Sequence, residues 1–118
     1  MKILLTGATG YIGKRVIPVL LEQGHEVICC VRDKNRFPGS GIYKHPNITL
    51  FEVDFLNEIT SSEPVKEIDV AYFLLNSMGR KSDDAGLQVE FSAKNFIRLV
   101  RQTSVRQIIY LGNTTIER

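Results

Sequence analysis

Apolar positions along this chain fall into two alternating patterns. Short, nearly continuous apolar stretches occupy Lys2 to Thr6, Glu26 to Val31, Ile48 to Val53, Val70 to Leu75 and Gln107 to Leu111. Runs of this kind suit parallel strands covered on both faces. Between them lie stretches with helical spacing. Tyr11 to Gln23 carries Val16, Ile17, Leu20 and Leu21 as an apolar stripe and ends at Gly24. Pro18 removes one backbone hydrogen bond there, so the reading is a kink or a late-starting regular helix. Ala85 to Gln102 is the clearest helix, with Val89, Ala93, Phe96, Ile97 and Val100 on one face and Ser82 or Asp83 available as a cap. Phe91 and Phe96 read as core residues of that helix. Asp33 to Pro46 reads mostly as loop, and Leu56 to Ile68 as a short helix or two broken near Pro64. Asn76 to Asp84 reads as loop, and Gly112-Asn113-Thr114 turns away from the last strand.

Strands alternating with helices predict an α/β fold with a parallel sheet and right-handed crossovers. A length of 118 residues suits one domain, and a 43% hydrophobic fraction is enough for a core. The net charge of +2, from 15 basic and 13 acidic residues, argues against a nucleic-acid partner. No apolar run is long enough to span a bilayer, so no membrane partner is expected. The N-terminus lacks a signal-peptide pattern, because glycines and a turn follow the first strand directly. Cys29 and Cys30 are adjacent in a strand and point to opposite faces. Reduced thiols in a cytoplasmic protein fit them better than a disulfide or a metal pair. His25 and His45 sit beside Gly24 and Pro46 and read as turn or surface histidines.

The chemistry concentrates in Thr6-Gly7-Ala8-Thr9-Gly10-Tyr11-Ile12-Gly13, between the first strand and the first helix. Glycines here let backbone approach a ligand closely, and the first helical N–H groups then face an anion, usually a pyrophosphate. The spacing is G-x-x-G-x-x-G rather than G-x-G-x-x-G. With Thr6 in front, the run resembles the T-G-x-x-G-x-x-G of short-chain dehydrogenase/reductase proteins. Its T-G-A-T-G-Y-I-G form is similar to the extended and atypical branches, which include NAD-dependent epimerases and NmrA-like proteins. The stretches Asp69 to Gly79 and Ile108 to Gly112 resemble the fourth and fifth strand regions of NmrA-like or YbjT-like members. The expected fold is a Rossmann-type doubly wound sheet of about five strands in the order 3-2-1-4-5.

Ligands in such sheets bind at the carboxyl ends of the strands, which selects a small set of residues. Gly7, Ala8, Thr9, Gly10, Tyr11 and Ile12 supply the phosphate-facing turn. Arg32 follows the second strand where a ribose-reading residue belongs. An arginine there suits the 2′-phosphate of NADP through a charge-assisted fork, and Arg36 adds a second cation. Asp33 keeps NAD open as the alternative, because an inward carboxylate would accept from a ribose 2′-hydroxyl. The resemblance implies that Asp54 accepts from the adenine amine, and that Phe55 contacts the ring by backbone or side chain. Capping a following short helix is the plainer role for Asp54. Leu74, Leu75 and Asn76 end the fourth strand and would line the ribose path.

The resemblance also implies a Tyr-x-x-x-Lys pair for catalysis. Here Tyr11, Tyr43, Tyr72 and Tyr110 are followed four positions later by Arg15, Asn47, Asn76 and Thr114, so the pair does not occur. One explanation is that this chain is the N-terminal part of a longer protein, whose substrate contacts lie in a further part. The parent would then be an oxidoreductase or an epimerase acting on a small molecule. The alternative is a non-catalytic, NADP-sensing regulatory module of the NmrA-like type. An apolar fifth strand ending at a sheet edge would also offer a surface for a homodimer.

Overall fold

The computed structural model describes residues 1–8, 10–37, 39, 41–55, 65–74 and 85–111, without the side chains of Tyr11, Arg36, residues 85–89 and Leu111. The elements in chain order are β1 (Lys2–Leu5), α1 (Tyr11–Glu22), β2 (Glu26–Val31), two 3-10 helices (Lys34–Arg36 and Gly41–Lys44), β3 (Ile48–Glu52), β4 (Val70–Leu74), α2 (Ala85–Val100) and β5 (Gln107–Leu111). The five strands form one sheet in the order β3-β2-β1-β4-β5. Every pairing is parallel, with Leu5 level with Cys29 on one side and Tyr72 on the other.

Side-chain alternation along the strands divides the core into two faces. Ile3, Leu5, Val27, Cys29, Val70 and Leu74 pack under Ile17, Leu20 and Leu21 of α1. Leu4, Ile28, Cys30, Ala71 and Phe73 pack under Phe96, Leu99 and Val100 of α2. The two neighbouring cysteines are therefore buried on opposite faces, both as free thiols. Phe96 anchors the second face, with Phe55 edge-on at 5.6 Å and Phe73 at 4.8 Å between ring centroids. Burying a side chain of this size contributes about 1.5–3 kcal/mol.

Several boundaries and faces differ from expectation. Thr6 and Val53 lie just outside their strands, α1 stops at Glu22 and α2 stops at Val100. Phe91 and Ile97 face solvent at 51% and 38% exposure, so neither belongs to the buried face of α2. Leu99 and Asn95 occupy that face instead. Pro18 does not delay α1, which is helical from Tyr11. Lys14 and Pro18 lie on the exposed side, where water can serve the carbonyl that proline leaves without its helical donor. Two short 3-10 helices organise the segment read as loop after β2. The expected helix before Pro64, the loop from Asn76 and the turn at Gly112-Asn113-Thr114 lie outside the described residues.

Candidate functional site

At the carboxyl end of β1 the chain turns sharply. Gly7 adopts φ +69, in the left-handed region where a side chain is strained. A Cβ there would also lie 3.0 Å from the Leu74 carbonyl oxygen. The Gly10 N–H donates to the Gly7 carbonyl at 3.1 Å and closes the turn. Gly10 is the N-cap of α1, with no side chain to accept from the first-turn N–H groups, and that turn carries no acidic residue. A Cβ on Gly13 would overlap the Gly7 carbonyl oxygen and lie 2.7 Å from that of Ala8. The helix thus sits directly on the turn, and the positive end of its dipole lies at Gly10 with no side-chain cap.

Thr6 fastens the turn to the neighbouring strand. Its buried hydroxyl accepts from the Leu74 N–H at 3.0 Å and donates to the Leu74 carbonyl at 3.4 Å. Leu74 is itself a core residue that backs the turn. On the other side, the Tyr43 hydroxyl donates to the Ala8 carbonyl at 3.1 Å. Tyr43 stands edge-on to Phe37 at 5.0 Å, and both pack on the α1 side of the core. A tyrosine within a polar stretch was the one signal for this contact, and it gave no hint of a partner 35 residues away.

Arg32 lies exposed directly after β2, at the same edge of the sheet. Asp33 is exposed too, and its Oδ1 accepts from the Asn35 N–H at 3.0 Å as the cap of the first 3-10 helix. The Lys34 N–H donates to Glu52 at the end of β3, at 3.2 Å. Arg36 ends that 3-10 helix, so its backbone lies close behind Arg32. Asp54 and Phe55 follow β3, half-buried. The Phe55 ring packs against Phe96, so its side chain serves the core. The Phe55 carbonyl accepts from Nδ2 of buried Asn95 at 2.6 Å, a contact that a polar residue on the apolar face of α2 could have signalled. Thr9, Leu75 and Asn76 lie outside the described residues, as does the Tyr11 side chain.

The opposite edge of the sheet has different chemistry. An open hollow there is lined by Lys2, Glu26, Glu67, Asp69 and Ser104, and its three carboxylates oppose an anion. The Asp69 carboxylate already accepts from the Lys2 N–H at 2.9 Å. Among the described residues there is no cluster of potential metal ligands, and no helix long and apolar enough to cross a membrane.

Known proteins resemble this chain in sequence and in fold. A family model described as NAD(P)H-binding matches residues 7–118. The photosystem II assembly factor Ycf39 of Synechocystis is 26% identical over 95% of this chain and 33% of its own length. A 3-beta-hydroxysteroid dehydrogenase of Mycolicibacterium neoaurum is 27% identical over 98% of this chain and 32% of its own. The structure of Gre2 from Candida albicans in complex with NADPH superposes with a TM-score of 0.77 at 18% identity, over 93% of this chain and 36% of that one. The chain thus spans about a third of the length of the curated relatives it matches.

Proposed function

The chain belongs to the NAD(P)H-binding family, and from that premise we propose that it binds NADPH in preference to NADH across the carboxyl edge of its sheet. The observation that carries the reading is the turn from Gly7 to Gly13, where neither end tolerates a side chain and an uncapped helix start faces outward. A pyrophosphate fits such a turn through backbone N–H groups and the helix dipole. Gly7, Ala8, Thr9, Gly10, Tyr11 and Ile12 are the residues proposed to hold it. Arg32 and Arg36 read the ribose 2′-phosphate, while Asp33 is occupied as a helix cap. Asp54 and the Phe55 backbone flank the adenine, and Leu74, Leu75 and Asn76 line the ribose path. The bound cofactor would supply or accept a hydride. This chain's own residues bind and orient the dinucleotide.

We read the protein as the dinucleotide-binding part of an oxidoreductase acting on a small molecule. Support comes from the catalysts among its relatives, including the steroid dehydrogenase. Substrate contacts and proton-transfer groups fall to residues other than those of the turn, since no Tyr-x-x-x-Lys pair occurs in this sequence.

Calorimetric titration with NADPH and with NADH tests the reading. NADPH should bind more tightly, and Arg32→Ala should abolish that preference with little effect on NADH. Tighter binding of NADH, unchanged by Arg32→Ala, would overturn the assignment.

A further inference from the structure

The segment between β2 and β3 does more than connect strands. Its second 3-10 helix, Gly41–Lys44, carries Tyr43 so that the phenol reaches the glycine turn. The ring is held by Phe37 and by the α1 side of the core. The hydroxyl engages the turn at the Ala8 carbonyl. That same carbonyl lies where a Cβ on Gly13 would meet it at 2.7 Å, so it is confined between the helix and the phenol.

We infer that Tyr43 is a positioning residue for dinucleotide binding: its hydroxyl holds the Ala8 carbonyl in place, so that the glycine turn keeps the backbone path that presents donors to the pyrophosphate. The inference rests on the NADPH reading above and deepens it, because it assigns a role to a residue outside the set proposed to hold the cofactor. A turn rich in glycine is free to rotate its peptide planes, and preorganised donors bind an anion more tightly than donors ordered on binding. Burial, with a smaller contribution from nearby Cys29, pushes the Tyr43 phenol upward. The hydroxyl therefore remains a donor well into alkaline solution.

Tyr43→Phe keeps the ring and its contact with Phe37 and removes only the donor. Its affinity for NADPH should fall about five-fold, the size expected for one neutral hydrogen bond. Affinity for adenosine 2′-monophosphate, which carries the 2′-phosphate and no pyrophosphate, should stay unchanged. Amide resonances of Gly7, Gly10 and Gly13 should shift in the variant without ligand, while those of Gly24 and Glu26 stay in place. Unchanged NADPH affinity would overturn the inference, as would a parallel loss for both ligands accompanied by a lower melting temperature. If the unaltered chain bound adenosine 2′-monophosphate and NADPH not at all, the cofactor reading itself would fall, and this inference with it.

Discussion

Thr6 Oγ1 and the Leu74 backbone exchange two hydrogen bonds, one received at 3.0 Å and one given at 3.4 Å, at the point where β1 ends and the glycine turn begins. The pair continues the β1–β4 pairing one step past the strand with a side chain in place of a peptide. Gly7 can therefore turn away while the strand end stays anchored. Thr6→Val has almost the same shape but leaves the Leu74 N–H without its acceptor. The loss should be about 1–3 kcal/mol, the cost of an unsatisfied buried polar group. Denaturant unfolding measures it, and Thr6→Ser should recover most of it.

Gly13→Ala should be worse than an ordinary glycine replacement inside a helix. Alanine normally favours a helix by about 1 kcal/mol. At this position its Cβ would overlap the Gly7 carbonyl oxygen, a backbone atom that cannot swing aside, so either α1 or the turn must move. The expected outcome is a net loss of about 1–3 kcal/mol, as in overpacked cores, with loss of cofactor binding. Thermal unfolding and titration with NADPH, on the same sample, check both parts.

Asn95 links α2 to the segment after β3 through the Phe55 carbonyl. Asn95→Leu keeps the volume and leaves that carbonyl unsatisfied. Stability should fall by about 1–3 kcal/mol. If Asp54 and Phe55 flank the adenine, affinity for adenosine 2′-monophosphate should fall as well, while binding of inorganic pyrophosphate should not.

The two buried thiols give stability a specific alkaline limit. Burial pushes Cys29 from 9.0 to about 12 and pushes Cys30 up further, with the charge of Cys29 adding to the second shift. Above pH 9 the unfolded chain loses thiol protons that the folded chain keeps. The folded state then holds more protons, so stability falls as pH rises from about 9 through 12. Below pH 9 the thiols contribute no slope. A Cys29→Ala, Cys30→Ala double variant should flatten the unfolding free energy between pH 9 and 11 relative to the unaltered chain. A thiol reagent at pH 8 should label the folded protein only at the rate of unfolding.

Much of the architecture is legible in the residues, and for local reasons. Glu26–Val31 and Gln107–Leu111 have the expected bounds, and the order β3-β2-β1-β4-β5 is the Rossmann arrangement expected from the glycine turn and the run of strands. The opposed burial of Cys29 and Cys30 follows from strand alternation alone. Errors arise where one turn of helix decides the face. Ile97 shares apolar character with Phe96, but the contact with Phe73 and Phe55 rotates α2 so that Asn95, Phe96 and Leu99 point inward. For the site, the glycine turn and the residues after β2 and β3 are readable because the fold gathers strand ends at one edge. Tyr43 is not, because it acts through a backbone carbonyl 35 residues away and carries no motif, and Asn95 shows only as a polar residue on an apolar helix face.

The central claim is the location of the dinucleotide at the carboxyl edge of the sheet. Amide chemical-shift mapping during titration with NADPH tests it most directly. The largest shifts should fall on Gly7, Gly10, Tyr11, Ile12 and Gly13, with Arg32 and Asp54 following, and Lys2, Glu26 and Asp69 should not move. Shifts concentrated on Lys2, Glu26 and Asp69 would contradict the account, because that hollow lies at the opposite end of the same strands.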